Sequence, residues 1–143
     1  MSKILIVQTS WYEENIYRMN QISSETLIEN NYSFDVAIAP GAIELAALAK
    51  HRLLLNDRST LGRYTGVIFL GIVIRGGTSH YDLVSNETFR SIGDLAMNFP
   101  QIAFINNVIC VESRDQLEER IELNTLNNTK ALINLINEKS GKI

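Results

Sequence analysis

A three-layer α/β/α domain built on a four-stranded parallel sheet is the fold this sequence predicts, from two features. Four short runs rich in branched apolar residues recur along the chain, each followed by a longer segment with helical spacing. The runs are almost continuously hydrophobic, which suits strands covered on both faces. The composition can supply the core: 143 residues, 45% hydrophobic and 20% charged, with eight glycines and two prolines. That is the size and balance of one domain, spanning residues 1–143.

The first run, Lys3 to Gln8, leads into Trp11 to Asn30, where Ile16, Met19, Ile22 and Leu27 form a helical stripe. Phe34 to Ala39 is the second run. It precedes a helix from Ala42 to Leu55 with Leu45, Ala49 and Leu53 four apart. The third run, Gly66 to Ile74, is followed by a helix from His80 to Asn98 that turns Val84, Ile92 and Leu95 inward. Gln101 to Val111 is the fourth. Ser113-Arg114-Asp115-Gln116 then has a capping-box pattern, which predicts a helix from Ser113 to Ile121. A separate helix from Thr125 to Glu138 carries Leu132, Leu135 and Ile136. Short connections between parallel strands imply right-handed crossovers.

Several function classes are excluded. A formal net charge of −3 argues against nucleic acid or an anionic membrane as partner. The longest apolar run, Val67 to Ile74, is too short to span a bilayer. Met1-Ser2-Lys3 opens directly onto Ile4 to Val7, too short for a signal-peptide core, so a cytoplasmic location is expected. The lone cysteine, Cys110, lies in the apolar stretch Ile105 to Val111 and reads as a small core residue. Two histidines and one cysteine cannot build a zinc cluster, and no metal is expected. His51 has no metal-spaced partner and reads as a surface or core-edge residue.

In folds of this class ligands sit beyond the carboxyl ends of the strands, which directs attention to four segments. Gly76-Gly77-Thr78-Ser79 joins a buried strand to a helix beginning at His80. Its glycines let backbone approach a ligand, and free N–H groups with the two hydroxyls form an anion cradle. An imidazole beside it can move protons. Taken alone, the same residues also describe a glycine turn with a solvated histidine. Pro40-Gly41-Ala42-Ile43-Glu44 offers backbone N–H groups at Ala42 and Ile43, and a carboxylate able to accept from a polyol. It equally describes a Pro-Gly turn with an acidic helix start. Ser10-Trp11 holds the only tryptophan, able to stack on a flat heterocycle or to cap the core. Arg120 can clamp a phosphate with paired donors, although most surface arginines do nothing of the kind.

Together, and in order along essentially the whole chain, these segments resemble lumazine synthase, the penultimate enzyme of riboflavin biosynthesis. The resemblance rests on Trp11, on Pro40-Gly41-Ala42-x-Glu44, and on Gly71-x-Val73-Ile74-Arg75-Gly76-x-Thr78-x-His80-x-Asp82. It continues through Val84-Ser85-Asn86-Glu87, Asn106-Asn107-Val108-Ile109 and Asp115-Gln116-x-x-x-Arg120.

The resemblance implies a flavodoxin-like four-stranded parallel sheet and a ring of five identical subunits, in some relatives assembled further into shells. It implies condensation of 5-amino-6-(D-ribitylamino)uracil with 3,4-dihydroxy-2-butanone 4-phosphate, without metal or organic cofactor. Carried over by position, Trp11 stacks on the pyrimidine, while Ser10 and the Val73-Ile74 backbone hold its polar edge. Ala42 and Glu44, within the Gly41 to Glu44 segment, hold the ribityl chain. Gly77, Thr78 and Arg120 grip the phosphate, so that Arg120 and His80 meet across one organophosphate. His80 shuttles protons, and Asn106 comes from a neighbouring subunit.

There are departures from the family pattern. Asn127-Asn128-Thr129 stands where the family commonly has Asn-Lys-Gly, whose lysine helps hold the phosphate; Lys130 is adjacent. Ala46 replaces a usual proline and Cys110 a usual threonine or leucine. A non-catalytic carrier or shell protein that binds lumazine or riboflavin is the alternative the Asn128 change raises. Retention of His80 and Arg120 favours the enzyme. An archaeal-type riboflavin synthase on the same fold fits the Thr78 to Asp82 motif less well.

Overall fold

A computed structural model describes residues 3–57 and 62–141. Their four strands are β1 (Lys3–Thr9), β2 (Ser33–Ala39), β3 (Tyr64–Ile74) and β4 (Ala103–Val111), and all pair in parallel. The sheet order is β2-β1-β3-β4, which with helices on both faces is the flavodoxin-like α/β/α arrangement expected. Successive residues of β1 point to opposite faces, so one strand seeds both cores. Leu5 and Val7 pack on the side of α2 (Leu45–Asp57) and α3 (His80–Asn98). Ile4 and Ile6 pack on the side of α1 (Glu13–Glu29) and α4 (Arg114–Lys139).

The stripe residues Leu45, Ala49 and Leu53 are buried, as are Ile16, Met19, Leu27, Ile92, Leu95, Leu132 and Ile136. Gly66 lets α4 lie close on β3, since a Cβ there would approach Ile136 Cδ1 to 2.9 Å and Ile4 Cδ1 to 3.0 Å. Among the described residues, no helix is long and apolar enough to cross a membrane.

Two helical expectations need correction. The turn after Pro40-Gly41 is a separate 3-10 segment, Ala42–Glu44, and the α-helix begins only at Leu45. The two helices expected from Ser113 to Ile121 and from Thr125 to Glu138 are one continuous helix, Arg114–Lys139. No glycine or proline interrupts residues 122–124, and asparagine there costs only a few tenths of a kcal/mol. The buried stripe does not lapse either. It passes from Leu117 and Ile121 through Thr125 and Thr129 to Leu132 and Ile136.

Those two threonines are buried because their hydroxyls are paired. Asn107, on β4, donates to Thr125 Oγ1 at 3.0 Å and accepts from Asn128 Nδ2 at 2.7 Å. The Thr129 hydroxyl donates to the Thr125 carbonyl at 2.8 Å and lies 3.0 Å from Ser23 Oγ on α1. Asn128, where the resemblance implies a lysine, is thus occupied in bracing α4 on the sheet. Replacing Asn107 by alanine is expected to lower stability by about 1–3 kcal/mol, because it orphans the buried Thr125 hydroxyl and the half-buried Asn128 amide. Urea unfolding measures this, and an unchanged midpoint would show the ladder to be dispensable.

Candidate active site

Strand order reverses direction between β1 and β3, and the main cavity opens at the carboxyl edge of that junction. Its volume is about 410 Å³. Trp11 and Tyr12 wall it after β1, Gly41 to Glu44 after β2, and Ile72 to Ile74 along β3. Gly76, Thr78, His80, Tyr81 and Val84 close it from the loop before α3 and that helix's first turn.

Register explains why β3 contributes backbone. Pairing between β1 and β3 stops at Gln8 with Leu70, whereas pairing with β4 continues to Ile74 with Val111. From Gly71 to Ile74, one edge of β3 therefore has no strand beside it. Ile72 to Ile74 of that edge line the cavity together with Trp11. Such an open strand edge is a ready hydrogen-bonding template. Trp11 is 66% exposed, so its face is available for stacking. Tyr12 holds left-handed backbone, φ 57° and ψ 54°, immediately before α1. For a bulky residue this conformation costs about 1–2 kcal/mol, and here it falls at the cavity wall.

Glu44 is exposed on the 3-10 turn. A Cβ at Gly41 would come within 2.9 Å of Glu44 Oε1, so the glycine leaves room for the carboxylate to fold back over the turn. In the loop before α3, a side chain at Gly76 or Gly77 would meet nothing within 4 Å, and neither glycine has left-handed backbone. Among the described residues nothing demands glycine there. The Thr78 hydroxyl accepts from the His80 N–H at 3.2 Å, which fixes the entry into α3.

Of the residues expected at the site, Trp11, Gly41, Ala42, Ile43, Glu44, Val73, Ile74, Thr78 and His80 line this cavity. Gly77 lies on the same loop, between two lining residues. Five residues outside the expected set also line it: Tyr12, Ile72, Gly76, Tyr81 and Val84. Thr9 does too, and its buried hydroxyl has no hydrogen-bond partner among the described residues. Adjacency to Trp11 and His80 was the available signal for Thr9, Tyr12 and Tyr81.

Ser10 turns away. Its hydroxyl faces the Pro40 carbonyl at 3.5 Å, and it borders a smaller neighbouring cavity of about 330 Å³. Asn106 Oδ1 accepts from the backbone N–H of Val108 at 2.8 Å on its own strand, and the residue does not line the main cavity. Arg120 is exposed on α4, with Nη1 3.4 Å from the Gln116 carbonyl, and does not line it either. One chain therefore does not bring Arg120 into the cavity that holds His80.

Charge beside the cavity is concentrated on Arg75, which bonds to Asp82 and to Glu112. Those hydrogen bonds, Asp82's foremost, raise the guanidinium above its ordinary value. Tyr81 is also raised, first by burial and then by Cys110 and Glu112 nearby. Burial pushes the Cys110 thiol up to about 11, which suits an inert, half-buried residue. His51 is exposed on α2. Among the described residues, no group of three His, Cys, Asp or Glu side chains could hold a metal ion.

Comparison with known proteins identifies the family. The family model for 6,7-dimethyl-8-ribityllumazine synthase matches residues 1–139. A protein of that name from Agrobacterium fabrum is 34% identical over 123 residues, covering 85% of this chain and 82% of its own. One from Rhizobium meliloti, named 6,7-dimethyl-8-ribityllumazine synthase 1, is 34% identical over 113 residues, covering 79% and 72%. One from Afipia carboxidovorans is 31% identical over 128 residues, covering 88% and 76%. With the family's match running from β1 to the end of α4, the chain belongs to the 6,7-dimethyl-8-ribityllumazine synthase family.

Proposed function

We propose that this chain, acting as a single domain over residues 1–143, condenses 5-amino-6-(D-ribitylamino)uracil with 3,4-dihydroxy-2-butanone 4-phosphate to 6,7-dimethyl-8-ribityllumazine. The observation that carries the reading is the unpaired β3 edge at Gly71–Ile74, set between Trp11 and the Thr78–His80 loop around one cavity. The pyrimidine stacks on Trp11 with its polar edge on the Val73-Ile74 backbone, and the ribityl hydroxyls reach Ala42, Ile43 and Glu44. Gly77 and Thr78 cradle the phosphate. Ser10 assists at the rim, where a rotation of its side chain is needed.

The 5-amino group attacks the ketone and one water leaves to give an imine; phosphate is then eliminated, and the ribitylamino nitrogen closes the ring onto the remaining carbonyl with loss of a second water. The amine is already a competent nucleophile, so neither a metal nor an organic cofactor is required. Holding two reactants in register supplies most of the acceleration, up to about 7–11 kcal/mol in favourable cases. His80 moves protons.

The same reading calls for a second copy of the chain. Arg120 and Asn106 stand outside the cavity of their own chain, and a neighbouring subunit brings them to it. Exposed apolar side chains on α3 (Leu83, Phe89 and Met97) and on the edge strand β2 (Val36 and Ile38) support such packing. A ring of five is the closed assembly the family resemblance implies. The unpaired Cys110 thiol suits the reducing cytoplasm.

Mixing the purified protein with both substrates is expected to raise lumazine absorbance and fluorescence while releasing one phosphate per turnover. Absence of product alongside tight riboflavin binding would replace the enzyme with a carrier. Sedimentation of the same sample reports the assembly.

A further inference from the structure

Arg75 follows the last residue of β3, and its backbone N–H donates to the Val111 carbonyl at 2.9 Å, so its position on the sheet is fixed. Its side chain then makes three separate contacts. Nη2 and Nη1 lie 3.1 Å and 3.4 Å from the two oxygens of Asp82, as a fork. Nε donates to Glu112. The guanidinium carbon sits 4.3 Å from the centroid of the Tyr81 ring. Tyr81 and Asp82 belong to the first turn of α3, whereas Glu112 follows β4. One planar group thus bridges both ends of the Gly76–His80 loop and reaches across to the neighbouring loop. Only arginine has the donor geometry for two carboxylates while stacking flat.

The second arm continues into α4. The Glu112 N–H donates to Gln116 Oε1 at 2.7 Å, and the Gln116 N–H donates to Ser113 Oγ at 3.3 Å. The Gln116 carbonyl in turn faces Arg120 Nη1 at 3.4 Å. A continuous set of polar contacts therefore runs from the loop of Thr78 and His80 to the arginine on α4. The loop itself has little else to hold it. It contains two glycines in open space, and glycine backbone has the most freedom to lose.

We propose that Arg75 is a positioning residue for the phosphate half of the site. It staples the Gly76–His80 loop to α3 and ties that loop to the start of α4. This rests on the reading above only for the identity of the anion. Arg75 does not grip the phosphate itself, because it does not line the cavity and three of its five N–H donors are engaged by Asp82 and Glu112. An exposed ion pair adds little to global stability, so the staple acts on local geometry. Misplacement by about 1 Å costs up to about a hundredfold in rate.

The test compares the wild-type chain with Arg75→Ala, Arg75→Lys and Glu112→Gln. Arg75→Ala is expected to raise KM for the butanone phosphate about tenfold and to lower kcat, leaving KM for the pyrimidine unchanged. Lysine, which satisfies one carboxylate at a time, restores only part of this. Amide exchange is expected to quicken across residues 76–82 while the amides of β3 and β4 keep wild-type rates. Inorganic phosphate, followed by backbone shifts of Gly76 to Thr78, is expected to bind more weakly to Arg75→Ala. Unaltered loop exchange, or equal phosphate affinity in wild type and variant, overturns the staple. A wild type that binds phosphate in this Arg75-dependent way but makes no lumazine overturns the assigned reaction and supports the staple. Should Arg75→Ala unfold, Glu112→Gln, which keeps side-chain shape, carries the same comparison on the α4 arm.

Discussion

Replacing Arg120 by alanine is expected to raise KM for the butanone phosphate about tenfold to a hundredfold while leaving KM for the pyrimidine near its wild-type value. The range follows from a charge-assisted hydrogen-bonded pair of about 1.5–3 kcal/mol, at about 1.4 kcal/mol per factor of ten. The fold should hardly register the change. The side chain is exposed, and its one hydrogen bond among the described residues is a long contact to the Gln116 carbonyl in its own helix, so the effect on stability falls within about 0.5 kcal/mol. Asn128 sharpens the expectation. The resemblance implies a lysine sharing the phosphate at that position, but here the side chain donates to Asn107 in the interior, which leaves more of the charge to Arg120. Initial rates with the phosphate substrate varied at saturating pyrimidine measure the effect. Unchanged saturation by that substrate would remove Arg120 from the site. Arg120→Lys should fall between, since it keeps the charge and loses the fork.

The fold was legible because parallel strands leave near-continuous apolar runs, and all four did so; the expected cover on both faces fails only for the edge strand β2, whose Val36 and Ile38 are exposed on this chain. Boundaries slipped where a strand extends through residues of weaker pattern. The third strand starts at Tyr64 rather than Gly66, and the fourth at Ala103 because Gln101 belongs to the turn after Pro100. The single α4 was hidden for a different reason. Reading for apolar residues finds a gap after Ile121, but Thr125 and Thr129 continue the buried stripe through hydroxyls paired with Asn107 and Ser23. A polar side chain that is buried because its partner sits on another element cannot be told from a surface one without that partner. The same limit governs the site. Motif and strand order placed the Trp11, Glu44 and His80 segments on one edge, because position along a strand decides that. Side-chain direction was not legible. Ser10 turns to Pro40, Asn106 turns back on its own strand, and Asp82, quoted only as part of a motif, proves to be half of the Arg75 staple.

For His80, the expected result of substitution by alanine is a kcat lowered about a hundredfold, with both KM values little changed. The imidazole is exposed at the first residue of α3, on the cavity wall, and the helix entry depends on its backbone N–H to Thr78 rather than on its ring. Removing the ring therefore leaves the cradle, the Trp11 stack and the β3 edge intact. What it removes is a proton carrier for steps in which water departs, phosphate is expelled and the ring closes. Turnover should persist above the uncatalysed rate, because proximity of the two substrates, up to about 7–11 kcal/mol, does not pass through this residue. Added imidazole should recover part of the lost rate, since the His80→Ala variant would leave space open to solvent where the ring stood. Single-turnover formation of lumazine separates this step from product release. A kcat equal to wild type would mean that solvent moves those protons and that the histidine has no chemical part. A KM for the phosphate raised with kcat untouched would instead assign the ring to anion binding beside Thr78.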